Sequence, residues 1–430
     1  MKFITEPFER FFKHETASGI LLLVFTIIAL IIANSGLEPF YNQVLHTKLT
    51  VGIADFILSK NLILWINDGL MAIFFFVIGL EIKRELLIGE LSEPRKAVLP
   101  VSAAIGGMLF PMAIFIMLNR QPEAQTGWAI PMATDIAFSL GILKLLGKRV
   151  PLGLKVFLTA FAIVDDLGAI LVIAFFYSPY IKWMLVFAAL GIVAGLFILT
   201  KFRLYNKYLF FLIGLIVWVL FLKSGIHATI AGVLMALVIP IRRTLKKHTY
   251  IQEVREALEV FNQPGQEKGT RKYLLTKEET GAVDTIETLT EELQSPLQHL
   301  ENKLHGWVVY LIMPIFAFAN AGVTISGESF SMLSVAIALS LIVGNTIGIS
   351  LISWLVIKAG LAKLPEQVSI TQLVAVSILG GVGFTMSLFF TNLAYENQLL
   401  IDSAKIGILL GSLLSGVIGY MALKKNLNPE

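Results

Sequence analysis

Three carboxylates stand where carboxylates are expensive. Asp135 lies in WAIPMATDIAFSLG, and Asp165 and Asp166 lie in TAFAIVDDLGAILVIAF. Both are apolar stretches with no Lys or Arg within helical reach on the same stretch. A single acid in such a place can cap a helix or bond to a neighbouring one, but three on two consecutive stretches point to function. Carboxylates, with hydroxyls and freed carbonyls nearby, are hard oxygen ligands that suit a hard cation rather than a soft transition metal. Burial favours the protonated acid, and adjacency of two acids strengthens that tendency. Such a carboxyl can therefore exchange a proton for a monovalent cation, and with alternating access that exchange is antiport.

Two flanking features would position these groups. Pro131, followed by Met132, Ala133 and Thr134, predicts a break in the stretch that carries Asp135. Gly380, Gly381 and Gly383 predict another at the midpoint of QLVAVSILGGVGFTMSLFFTNL. A broken membrane helix exposes unpaired N–H and C=O groups that can coordinate an ion or set one helix dipole against another. Interrupted helices at corresponding positions of two halves point to a transport site at mid-membrane depth.

The elements that must hold these groups are membrane helices. Hydrophobic residues make up 56% of the 430 and charged residues only 15%, which excludes a soluble fold. The net charge of +4 is too small to suggest nucleic acid, and with no cysteine the chain has no disulfide, thiolate metal site or cysteine nucleophile. No cofactor is expected. The apolar stretches give twelve spans, near residues 17–34, 62–82, 97–118, 128–146, 151–176, 181–200, 208–222, 225–241, 307–325, 330–354, 369–393 and 404–423. The first is expected to remain as a span, since no cleavage site is evident behind it. Spans 3–5 run opposite to spans 10–12, and each trio has its broken helix (4 and 11) in the middle. The expected fold is therefore an all-α membrane protein of about twelve helices with inverted-topology repeats, a single transmembrane domain over 1–430.

Of the 34 Lys and Arg, only Lys48, Lys60, Arg120, Lys182, Lys223 and Lys405 fall on the side opposite the termini, so both termini are expected in the cytoplasm. The bias survives omission of the long 242–303 loop, which is a weak topogenic signal. Within that loop, 244–294 reads as a cytoplasmic insertion with helical spacing at Ile251, Val254, Leu258 and Phe261, a Pro264-Gly265 break, and again at Val283, Ile286, Leu289 and Leu293. Ser295-Pro296 then reads as an N-cap opening the helix into the ninth span.

LWINDGLMAIFFFVIGLEIKREL, AIPMATDIAFSLG, FAIVDDLGAI, LKSGIHATIAG, PIFAFANAGV and GGVGFTMSLF, in this order, resemble the NhaA sodium/proton antiporter family of bacterial inner membranes. The resemblance covers nearly the whole chain outside 244–294, and the inverted repeat is a known trait of that family. It implies export of sodium or lithium in exchange for incoming protons, activated at alkaline pH. Asp165 is then the main cation-binding carboxylate, Asp166 its partner on the ion and proton path, and sodium the metal ion held there. Asp135 and Thr134 support the site where the broken helices cross, with Asn345, Gly381 and Gly383. Glu81, Glu85 and Glu301 match acidic positions of the cytoplasmic entrance linked to pH sensing, and His227 matches a position affecting pH response. Asp68, in WIND, is expected to cap a helix. The partners implied are sodium or lithium ions, protons, the lipid bilayer and a second copy in a homodimer.

One departure bears on the site. Where the family pattern has a lysine in a GKPLGIS-like run, this chain reads GNTIGIS, with Asn345 at the lysine position. Desolvation of Asp165 is then less opposed, and coupling stoichiometry becomes an open quantity. A sodium-coupled symporter of the same fold and an intramembrane aspartyl protease are the alternatives. The first lacks an intramembrane Arg for an organic anion, and the second lacks a GxGD run around either acid.

Overall fold

The computed structural model describes residues 2–53, 56–178, 180–202, 204–241, 247–260, 276–325, 327 and 330–427. The first half comprises α1 (Lys2–Ala33), α2 (Glu38–His46), the antiparallel strands β1 (Lys48–Ile53) and β2 (Phe56–Asn61), α3 (Leu62–Leu87), α4 (Pro94–Leu118), α5 (Pro122–Met132), α6 (Ile136–Leu145) and α7 (Leu152–Phe176). After these come α8 (Trp183–Lys201), α9 (Lys207–Ser224), α10 (Thr229–Val238), α11 (Lys247–Glu259) and α12 (Lys277–Leu293). The chain ends with α13 (Pro296–Ala321), α14 (Met332–Lys358), α15 (Ile370–Leu379), α16 (Phe384–Ala394) and α17 (Gln398–Asn426). In the hairpin Lys48 pairs with Asn61 and Ile53 with Phe56.

This is an all-α membrane protein apart from that hairpin. Among the described residues eight helices are long and apolar enough to cross a membrane, or up to eleven if each bent pair forms one span. The count falls below the twelve apolar stretches for a physical reason. The first stretch counts only together with α2, which turns from it by 112°, the fourth and eleventh are bent within themselves, and the eighth forms a helix of only 10 residues, too short for a roughly 30 Å hydrocarbon layer. Gly225 separates it from α9 at a φ of 90°, a left-handed conformation that ends the preceding helix. Large side chains such as Phe175, Met184, Phe187 and Phe211 are exposed on the outer helices, as expected where the solvent is lipid.

Polar groups inside are tied across helices. Asn67 of α3 and Asn320 of α13 exchange amide bonds at 2.8 and 3.2 Å, and Asn392 of α16 donates to Asn320 at 2.7 Å. In hydrocarbon such amide pairs hold helices together where the hydrophobic effect does not. α7 lies on α4, which also packs along α14, so the helix bearing Asp165 and the one bearing Asn345 share a neighbour.

Among the described residues of 244–294 are two helices, α11 and α12, packed on each other. Ile251, Val254 and Leu258 fall in α11, and Val283, Ile286, Leu289 and Leu293 in α12, which Thr276 and Glu279 open with a reciprocal capping box. Phe261 and Pro264-Gly265 lie outside the described residues. Ser295 caps α13 by accepting from the N–H of Gln298 at 3.2 Å, with Pro296 in the first turn, as the sequence indicates.

Candidate functional site

The site begins with the two breaks. Pro131 cannot donate an N–H to a continuing helix, and Ala133 is extended, so α5 ends and α6 restarts at Asp135 with a 45° bend. The glycines let α15 end and α16 restart with a bend of 46°. Each break leaves carbonyls without helical partners, and the two breaks largely satisfy one another. The Asp135 N–H donates to Val382 O at 2.6 Å. The Ser139 hydroxyl donates to Leu379 O at 2.9 Å, Thr134 to Gly380 O at 2.8 Å and Ser387 to Ile130 O at 2.7 Å. Gly383 permits this approach, since a Cβ there would lie 2.7 Å from Ala133 O, whereas one on Gly381 would meet the Leu341 backbone of α14 and lie 2.6 Å from Ser415 Oγ of α17.

Asp135 serves both N-termini. Its Oδ1 accepts the N–H of Phe138 in α6 at 3.1 Å, and its Oδ2 accepts the N–H of Thr385 in α16 at 3.1 Å and the hydroxyl of Thr385 at 2.5 Å. One buried carboxylate thus faces two positive helix ends, each equivalent to about half an elementary charge. At the opposite polarity stands Asn345, fully buried, whose Nδ2 donates to Pro131 O at 3.0 Å and Leu341 O at 3.2 Å.

Asp165 and Asp166, both buried on α7, face different surroundings. Asp165 Oδ2 accepts the N–H of Thr134 at 2.9 Å, while its buried Oδ1 has no hydrogen-bond partner. Asp166 lines a cavity of about 60 Å³ with Glu81, Asp135, His305, Met313 and Thr385. That volume has room for an ion with a few waters. Among the described residues no group of three His, Cys, Asp or Glu could form a resident metal centre. An ion held here needs neutral oxygens beside the two carboxylates.

Glu81, Glu85 and Glu301 converge on Arg84. The guanidinium lies 3.9 Å from Glu81 and 3.0 Å from Glu85, and it bonds to Glu301 of α13. Because Glu81 also lines the Asp166 cavity, the ion-paired cluster adjoins the buried acids. His227 is placed elsewhere, edge-on to Phe389 with centroids 6.2 Å apart, and Asp68 and Lys60 are its charged neighbours. Asp68 does not cap a helix: it accepts from Lys60 Nζ at 2.7 Å, because β2 brings that lysine over the start of α3.

Sequence reasoning passed over Arg84, counted only as a topological charge, and Ser139, Thr385 and Ser387, whose hydroxyls hold the crossing. Their signal was hydroxyl residues within a few positions of each break. Lys405, counted in the sequence only as a charge on the side opposite the termini, is buried and donates to Gly322 O at 2.9 Å, closing the C-terminus of α13.

Buried carboxylates at the crossing of two broken membrane helices are the arrangement of a polytopic membrane transporter. The sequence matches the family Na+/H+ antiporter 1 over residues 9–423, and the chain belongs to that family. It is 50% identical over 422 residues to the Na(+)/H(+) antiporter NhaA of Oleidesulfovibrio alaskensis, covering 97% of this chain and 93% of that one. It is 45% identical over 424 residues to the NhaA of Bacteroides fragilis, covering 96% of each chain. With the NhaA 1 of Saccharophagus degradans it shares 44% over 428 residues, 98% of this chain and 92% of that one.

Proposed function

We propose that the protein exports sodium or lithium ions in exchange for protons by alternating access, with Asp165 and Asp166 holding either cation or proton. The observation that carries this reading is the unengaged Oδ1 of Asp165, buried beside two crossed helix breaks. A buried carboxylate oxygen without a donor is costly unless a proton or a cation occupies it in turn. Asp166, on the cavity, is the point of exchange with the aqueous path. Thr134 and Asp135 keep the breaks in register, and Gly381 and Gly383 let the backbones approach.

The wider arrangement follows from the same reading. Twelve spans, with trios 3–5 and 10–12 related by inversion, place both termini in the cytoplasm of a bacterium and the crossing at the middle of its inner membrane. Glu81, Glu85 and Glu301 around Arg84 form the cytoplasmic entrance and set the response to pH, to which His227 contributes from the other side. The 244–294 insertion is a cytoplasmic regulatory element, and the working unit is a homodimer.

In inside-out vesicles, adding sodium to a preformed pH gradient should collapse it for the parent, and neither Asp165→Asn nor Asp166→Asn should respond. If both variants respond like the parent, the site is wrongly assigned.

A further inference from the structure

Asn345 has two ends with different fates. Two backbone carbonyls take its Nδ2 as donor, which fixes the orientation of the amide, since an oxygen facing Pro131 O and Leu341 O would find no proton. Its Oδ1 is thereby turned away from both, is fully buried and has no hydrogen-bond partner. An amide oxygen in that condition costs free energy that nothing in the protein offsets.

The side chains that carry that oxygen and the free oxygen of Asp165 are tethered to one helix break. Asn345 is bonded to Pro131 and Asp165 to Thr134, three residues apart in the same helix break. One turn before Asp165, Phe161 packs beside Gly107 and Gly380, and one turn after Asn345, Ile349 packs beside the same two glycines. α7 and α14 therefore bring the two side chains to the break from opposite directions along their sequences.

We infer that Oδ1 of Asn345 is a direct ligand of the transported cation, completing with Oδ1 of Asp165 a pair of oxygens at the α5–α6 break. The inference rests on the antiport reading above. A hard cation takes about six oxygens, and two adjacent carboxylates fall short of that. A neutral amide oxygen supplies a ligand without adding charge. A lysine at this position would instead place an ammonium against the cation. In this chain residue 345 is thus a determinant of cation affinity and of size selectivity, and not only a donor to the end of α5.

Apparent KM values for sodium and lithium, measured in vesicles for the parent, Asn345→Leu and Asn345→Asp, test this. Leu removes both donor and acceptor, and Asp keeps an oxygen while giving up the amide donor. Leu should raise the KM for sodium about tenfold or more and change the sodium-to-lithium KM ratio. Asp should return the sodium KM to the parent value or below. If Leu leaves both KM values and their ratio unchanged, or if Asp resembles Leu, the ligand role is overturned. Asn345→Ala, under the same criteria, replaces Leu should that variant not fold. A parent that moves no protons with either cation overturns the antiport reading and this inference together. An active parent with an indifferent Leu variant overturns this inference alone.

Discussion

Asp135 and Thr385 lie 250 positions apart in the chain and are bonded twice through one carboxylate oxygen, by the Thr385 hydroxyl at 2.5 Å and its N–H at 3.1 Å. The pair joins two half-helices that would otherwise present like dipole ends to each other. Asp135→Ala strips acceptors from Thr385 and from the N–H of Phe138, each buried donor costing about 1–3 kcal/mol. Thermal unfolding of the purified protein should fall markedly for Ala and less for Asn, which keeps an acceptor but loses the charge. Equal losses for Ala and Asn would show that charge against the dipoles, and not hydrogen bonding, holds the crossing.

The closeness of the breaks gives a steric prediction. A Cβ on Gly383 meets Ala133 O at 2.7 Å, whereas one on Gly191 of α8 meets nothing within 4 Å. Gly383→Ala should cost about 1–3 kcal/mol of strain and slow transport, while Gly191→Ala should leave it unchanged. Vesicle assays at matched expression decide this, and a fully active Gly383→Ala would mean that the breaks separate during the cycle at no cost.

Arg84 carries the third expectation. Three carboxylates share its guanidinium, and with Ala in its place they repel one another wherever they are ionised. The variant should lose about 1–3 kcal/mol of stability near neutral pH, allowing for the partial exposure of the arginine. Protonation of the acids removes the repulsion, so the loss should shrink as pH falls and widen as pH rises. Unfolding temperatures of parent and variant across pH 5–9 would show the trend, and a constant difference would mean that Arg84 acts by packing alone.

How much of this was legible in the sequence varies with the kind of residue. The three aspartates declared themselves, because a carboxylate in a long apolar run has few cheap explanations. Pro131 and the Gly380–Gly383 cluster marked the breaks, since each residue type has a backbone preference visible without neighbours. Ser139, Thr385 and Ser387 were silent, because a hydroxyl in a membrane helix most often bonds to its own preceding turn, and only tertiary proximity reassigns it. Arg84 was hidden by its sequence neighbours, looking like one more cytoplasmic charge until α13 delivered Glu301 to it. Lys405 was hidden in the same way: a charge counted for topology shows its depth only once the end of α13 meets it.

The insertion gives a prediction from closure of its ends. The N–H of Leu297 donates to Pro240 O at 3.2 Å, and Lys83 Nζ donates to Leu237 O at 2.7 Å and Ile239 O at 2.5 Å. The chain thus leaves and re-enters the helical body at one pinned point. Replacing 244–294 by a short Gly/Ser linker, with the Ser295 cap retained, should preserve folding and the maximal transport rate while displacing the pH profile. Lost folding would show that α11 and α12 support the helical body, and an unchanged pH profile would remove any regulatory role for the insertion.

Asn345→Lys separates the two properties of that position. The ammonium can still donate to Pro131 O and Leu341 O, so the end of α5 keeps its partner, but the amide oxygen is gone and a buried positive charge stands at the break where Asp165 is held. Attraction to that charge favours the ionised carboxylate and competes with the transported cation for it. The expected outcome is a weaker apparent sodium affinity, a pH profile displaced from the parent's and a changed number of charges moved per cycle. Measuring sodium-driven proton flux together with membrane current in proteoliposomes reads all three at once. An unchanged pH profile with unchanged charge per cycle would mean that residue 345 is electrostatically remote from Asp165, and that a shared break in the backbone does not amount to a shared site.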